Sequence, residues 1–242
     1  MAKKRLDVLV HEQYPHYSRR QIQSWIMQGK VLVDNHPITK PGTQLKPDTS
    51  IVLNVQKPKY VSRAGFKLEK ALDQFGIDPT GKIILDAGLS TGGFTDCLLQ
   101  QGAAKVYGID VGHGQVHEKI REDPRVVVME RTNLRTLTEL PEQVDIVTLD
   151  LSFISLLKVM NAIAKIMKKG GTLITLIKPQ FEAEKHQVGK GGIIKDPVIH
   201  QEVIQKVTEG IQQHGFELQE VIESPIFGAT GNKEFLAWFV RK

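Results

Sequence analysis

Between residues 82 and 177 five short apolar runs alternate with stretches of helical periodicity, and that alternation leaves few folds open. The runs lie at 82–86, 104–109, 126–129, 143–149 and 171–177, with helical stretches near 92–101, 115–122 and 156–168. Residues 65–76 form a preceding helix on Phe66, Leu68, Ala71 and Leu72, and a long helix lies near 197–214. Strands separated by helices pair in parallel and need cover on both faces, so a Rossmann-like, doubly wound α/β sheet is predicted. Two late strands, near 216–223 and 234–240, have no helix between them, so the last can run antiparallel.

The first 59 residues read differently, as a small α+β module. Leu6, Val8, Leu9 and Val10 begin an apolar face. Ser18 is placed to cap a helix over 19–27 in which Ile22, Trp25, Ile26 and, less regularly, Met27 share one side, and Gly29 ends it. Val31–Val33 and Ile51–Val55 are strands around turns at Asp34–Pro37 and Pro41-Gly42, and Gln56–Lys59 is a polar, basic linker. Domains are therefore expected at 1–59 and 60–242. Charge divides at the same place. Residues 1–59 carry ten Lys/Arg against four Asp/Glu, and residues 60–242 carry 22 against 23. This pattern suggests a module that holds a polyanion joined to one that acts on it; a solvated basic surface without a partner is the alternative. The single cysteine excludes a disulfide framework and a thiolate metal site, and fits a reducing cytoplasm. No apolar run reaches the ~18–20 residues of a membrane span. Only Val8-Leu9-Val10 follows the basic start, too short for a secretory signal.

The densest motif is Leu85-Asp86-Ala87-Gly88-Leu89-Ser90-Thr91-Gly92-Gly93-Phe94-Thr95, which follows a strand and opens a helix. Its glycines allow a sharp turn and close approach to a ligand, and Asp110, at the end of the next strand, can accept both hydroxyls of a ribose. The glycine order of a dinucleotide site is absent, and Asp86 would repel a pyrophosphate. The loop suits a ligand carrying ammonium and sulfonium charges, such as S-adenosylmethionine, with contacts expected from Asp86, Gly88, Ser90, Gly92, Gly93 and Asp110. A generic strand–turn–helix junction is the alternative. Asn133 is placed to meet the adenine edge or simply to form a turn. Asp150 and Lys178 each end an apolar strand and should face the same crevice as Gly88, as functional groups or as a structural ion pair.

Further blocks carry a family resemblance. They are Ser62-Arg63-Ala64-Gly65-Phe66-Lys67-Leu68, Asp150-Leu151-Ser152-Phe153, Lys178-Pro179-Gln180-Phe181-Glu182, Val188-Gly189-Lys190-Gly191-Gly192 and Gly228-Ala229-Thr230-Gly231-Asn232-Lys233-Glu234-Phe235. With the Asp86–Thr95 loop they resemble the TlyA/hemolysin A family of rRNA methyltransferases, with an FtsJ-like catalytic domain. Arg5-Leu6-Asp7, Ser18-Arg19 and Gly29–Asp34 resemble the αL-type RNA-binding module. The loop departs in one place, with Leu89 where a small residue is expected. The resemblance implies a catalytic set of Lys67, Asp150, Lys178 and Glu234, of which only Asp150 and Lys178 stand out without it. It also implies S-adenosylmethionine around Gly88, and a ribose 2′-hydroxyl of ribosomal RNA, free or in ribosomal subunits, as acceptor. Lys178 then serves as base or, if charged, supports the developing alkoxide. Arg5, Arg19, Arg20, Lys30 and Arg63 are expected to contact RNA phosphates.

Other readings are a non-catalytic RNA-binding factor, a membrane-lytic protein and a nicotinamide-dependent oxidoreductase. The second predicts an insertion segment and the third a different glycine order, and neither is visible. Cys97 sits among Phe94, Leu98 and Leu99 as a packing residue, and Trp25 and Trp238 read as core anchors. His113 and His117 lack a third ligand at recognisable spacing, so no metal is expected. Gly189–Gly192 reads as a mobile loop near the site.

Overall fold

The computed structural model describes residues 2–55 and 58–242; Gln56 and Lys57 of the expected linker lie outside the described residues. The chain divides into two units between Pro58 and Lys59.

In the N-terminal unit β1 (Lys4–Arg5) leads into α1 (Leu6–Gln13) and α2 (Arg19–Met27), followed by β2 (Val31–Val33), β3 (His36–Pro37), β4 (Gln44–Leu45) and β5 (Ile51–Leu53). Strands β3-β2-β5 form one antiparallel sheet, and β1 pairs with β4. Ser18 caps α2 in a reciprocal box: its hydroxyl accepts the Gln21 amide at 3.3 Å, and Gln21 Oε1 accepts the Ser18 amide at 2.9 Å. Asp34 and Asn35 take φ of 47° and 67°, the two left-handed residues of a tight hairpin between β2 and β3. Leu6, Val10, Ile22, Ile26 and Val31 are buried together. Met27 does not share that side and is 61% exposed, because it follows Ile26 by about 100° around the helix.

The C-terminal unit begins with α3 (Ala64–Phe75) and β6 (Ile83–Ala87). Then come α4 (Gly93–Gln100), β7 (Lys105–Ile109), α5 (Glu118–Arg121), β8 (Val126–Met129) and β9 (Val144–Leu149). The chain continues through α6 (Met160–Ile166), β10 (Met167–Ile177), α7 (Pro179–Glu182), α8 (Pro197–Gln212), β11 (Phe216–Glu223) and β12 (Phe235–Arg241). The seven strands lie in the order β8-β7-β6-β9-β10-β12-β11. Strands β6 to β10 are parallel, and β12 runs antiparallel to both its neighbours. The order reverses between β6 and β9, and a ligand crevice opens beyond the carboxyl ends of strands at such a point. One apolar cluster, including Leu85, Met160, Ile163, Val203 and Phe239, covers one face. Another, including Leu68, Ile84, Phe94, Leu98 and Leu236, covers the other. The helix expected to reach residue 168 stops at Ile166, and β10 starts at Met167 with a register shift before Thr172. Gly171 allows this, since a Cβ there would sit 2.9 Å from the Asp145 carbonyl oxygen. Trp25 and Trp238 are only partly buried, at the margins of their clusters.

Candidate active site

The first cleft, of about 360 Å³, lies at the β6/β9 reversal and is lined by Gly88, Ser90, Asp110, Asn133, Leu134 and Leu151. Gly88 has a φ of 89°, and a Cβ on it would lie 2.3 Å from the Asp150 carbonyl oxygen, so only glycine lets the ends of β6 and β9 approach this closely. The Asp110 carboxylate is aimed by two backbone amides, accepting from Ser90 and Gly112 at 2.7 Å each. A carboxylate has about four acceptor positions, so Asp110 keeps capacity for a diol. Asn133 lines the cleft and also forms a turn, its Oδ1 accepting the Arg135 amide at 3.1 Å. Apolar walls and a pre-aimed carboxylate fit an adenosine-bearing donor.

Three residues expected around that donor do not line the cleft. Asp86 is buried under α4, where it accepts the Thr95 hydroxyl at 2.6 Å and the Thr148 hydroxyl at 3.0 Å. Burial pushes its pKa up to about 6, partly offset by those two hydroxyls. Gly92 makes room for Ile120 and Gly93 for Ser62, because a Cβ on either would lie within 2.9 Å of those side chains. These glycines serve packing. Leu89 is also buried, over Gly108, whose missing Cβ leaves the space it fills. Its bulk is accommodated in the core.

A second cleft, of about 550 Å³, adjoins the first and shares Ser90, Asp150, Ser152 and Phe153 with it. Lys67, Asp150, Lys178 and Glu234 all line it. They are organised as two ion pairs: Lys67 Nζ donates to Glu234 Oε2 at 2.5 Å, and Lys178 Nζ lies 2.6 Å from Asp150 Oδ1. The second contact is off line for a directed hydrogen bond, and the Lys178 amine donates instead to Ser152 Oγ at 2.9 Å. Gly228 leaves space for Glu234, since a Cβ there would sit 2.4 Å from Oε1. Arg63 lines the cleft and donates to the Phe227 carbonyl at 3.1 Å. Gly191 and Gly192 also line it, and Asn232 ties their loop down, donating to the Gly192 carbonyl and accepting the Ile194 amide, both at 2.9 Å.

Four residues of the family blocks, given no role from the sequence, make contacts here: Ser152, Phe153, Glu182 and Asn232. Phe153 has a φ of 63°, is 91% exposed and meets the Phe181 ring at 5.0 Å. A polar-aromatic pair directly after an apolar strand was the available signal for Ser152 and Phe153. Buried Glu182, its pKa raised by burial, accepts the Leu156 amide at 2.7 Å.

In the N-terminal unit Arg5 and Arg19 converge on one buried carboxylate. Asp7 accepts from Arg5 at 2.9 and 3.0 Å, from Arg19 at 3.3 Å and from Gln23 at 2.7 Å. The Arg5 guanidinium holds the Asp7 carboxyl well below the usual carboxylate range. Both arginines remain about half exposed, and Arg20 and Lys30 are exposed. Among the described residues no three His, Cys, Asp or Glu side chains gather as metal ligands, and no helix is long and apolar enough to cross a membrane.

A parallel sheet with a nucleoside-sized cleft at its reversal point and a lysine–carboxylate set beside it defines a methyltransferase fold. Residues 60–241 match the FtsJ-like methyltransferase family, and residues 4–51 match the S4 domain. The chain belongs to the FtsJ-like methyltransferase family. It is 44% identical over 242 residues to Hemolysin A of Brachyspira hyodysenteriae, covering 98% of this chain and 99% of that one. It is 43% identical over 226 residues to the 16S/23S rRNA (cytidine-2′-O)-methyltransferase TlyA of Mycobacterium tuberculosis, covering 91% and 84%. A solved structure of a candidate hemolysin from Streptococcus thermophilus superposes with a TM-score of 0.77 at 40% identity, covering 100% and 90%.

Proposed function

We propose that this protein transfers a methyl group from S-adenosylmethionine to a ribose 2′-hydroxyl of ribosomal RNA. The observation that carries this reading is the pairing of Lys67 with Glu234 and Lys178 with Asp150 around a cleft that shares a wall with the nucleoside-sized one. The relative named a 2′-O-methyltransferase supports the same reaction.

When bound, the donor supplies an electrophilic methyl group. Asp110 would hold its ribose, Gly88 and Ser90 would bound the adjoining turn, and Asn133 would meet the adenine. A ribose hydroxyl is a poor nucleophile at neutral pH and has to be positioned and relieved of its proton. Lys178, its amine set beside Asp150, supports the 2′-oxygen as it gains negative charge, and the hydroxyl proton passes to the amine or to water. Asp150 holds Lys178 in place; Lys67 and Glu234, paired with each other in the same cleft, orient the sugar. Exposed Phe153 offers a face on which a nucleobase can stack. Arg5, Arg19, Arg20 and Lys30 engage phosphates from the N-terminal unit and Arg63 from the rim of the catalytic cleft, which positions RNA without reading its sequence.

The test is transfer of labelled methyl from S-adenosylmethionine to purified ribosomal subunits and to naked rRNA, followed by mapping of the modified nucleotide. Label on a ribose 2′-oxygen is the expected result; label on a base, or none, overturns the reading.

A further inference from the structure

The Lys178 amine is gripped from several sides, and one of the groups gripping it has no place in the tetrad. Asp150 Oδ1 lies 2.6 Å away, Ser152 Oγ accepts from it at 2.9 Å, and the Phe181 ring centroid is 5.9 Å off. A tetrahedral nitrogen has three directions besides its bond to Cε. Ser152 takes one of them, the Asp150 oxygen crowds the nitrogen without lying on any, and a direction is left for the acceptor oxygen. Ser152 and Asp150 line both clefts, whereas Lys178 lines only the larger one. The amine is thus drawn to the seam where donor and acceptor meet.

We propose that Ser152 is a positioning residue for methyl transfer: its hydroxyl aims the free direction of the Lys178 amine at the acceptor oxygen. This rests on the role given to Lys178 above. Lysine is a compact charge on a flexible four-carbon stem and turns freely unless a second partner fixes it. Its contact with Asp150 is short but off line. Without Ser152 no directed hydrogen bond fixes the rotation of the amine, and its free direction is no longer held toward the cleft. An error of this kind acts on the chemical step, because small displacements of a reacting group cost rate far more than affinity.

The experiment uses the full chain, labelled S-adenosylmethionine and purified large and small ribosomal subunits. It compares Ser152→Ala, Ser152→Thr and Lys178→Ala for kcat, for KM toward the subunits, and for donor Kd by calorimetry. Ser152→Ala should lower kcat about tenfold, the scale of one charge-assisted hydrogen bond, with KM and donor Kd within about twofold of the parent. Ser152→Thr, which keeps the hydroxyl, should recover most of the loss. A Ser152→Ala kcat within about twofold of the parent overturns the proposal, as does a loss that threonine fails to restore or that falls on KM instead. The Lys178→Ala arm separates the two levels. If it is inactive while Ser152→Ala is fully active, only the Ser152 assignment fails. If Lys178→Ala itself turns over normally, the reading of the tetrad fails and the Ser152 role falls with it.

Discussion

Glu182 accepts the Leu156 amide hydrogen at 2.7 Å, joining the segment that follows β9 to the segment that follows β10. Those two segments carry Asp150 and Lys178, whose spacing is set by the parallel pairing of β9 with β10, and the buried carboxylate braces the same two segments beyond the strands. Glu182→Ala strands the Leu156 amide and should cost about 1–3 kcal/mol of stability, read by urea denaturation. Glu182→Gln keeps an acceptor for that amide and should recover most of it.

Lys178→Ala should lower methyl transfer by at least about 100-fold, the scale of removing one pre-aimed charged group. Donor affinity should change little, because Lys178 does not line the smaller cleft. Single-turnover transfer and donor calorimetry check the two halves.

Asp86 gives a pH prediction with a definite sign. Its folded-state pKa, about 6, lies above its ordinary value of 3.8. The folded protein therefore holds a proton that the unfolded chain has released between those values, and Asp86's contribution to stability falls as pH rises through that window. The cost at neutral pH is about 3 kcal/mol. Asp86→Asn removes the charge and accepts from one of the Thr95 and Thr148 hydroxyls while donating to the other. Its stability relative to the parent should rise between pH 4 and pH 6 and then level off. Denaturant midpoints of both proteins across that range provide the check.

The basic residues of the N-terminal unit should separate by their partners. Arg20→Ala and Lys30→Ala remove exposed charges, and each should reduce the salt dependence of RNA binding by about one phosphate contact without changing the melting temperature. Arg5→Ala should lower both, because it takes two hydrogen bonds from buried Asp7. The depressed Asp7 pKa adds acid sensitivity to this part of the fold: its contribution is present above the ordinary carboxylate range and is lost as pH falls below it. Filter binding across a salt series, with melting curves of the same variants, tests both.

What the sequence disclosed follows from how local each signal is. Strand and helix periodicity placed β6 to β9 within a residue or so, and the Ser18 cap was legible because its partner Gln21 is three residues away. Asp150 and Lys178 were legible as polar residues ending apolar strands. Lys67 and Glu234 were not, because each gains meaning only from the other, 167 positions apart in the chain. Asp86 misled for a related reason. An acid at a strand end can face the crevice or the helix above it, and the choice rests with Thr95 and Thr148, whose distances no periodicity encodes. The expectation that Arg5 and Arg19 contact RNA phosphates gave no hint of their shared carboxylate, since nothing local says that Asp7 is buried between them.

The antiparallel course of β12 has a consequence for biosynthesis. Glu234 stands at its start, so the fourth member of the tetrad reaches the others only when this strand slides into the slot between β10 and β11. A nascent chain still short of β12 holds Lys67 without its counter-ion. Lys67 and Glu234 are therefore brought together late in synthesis, because the strand that Glu234 leads into lies far along the chain from α3.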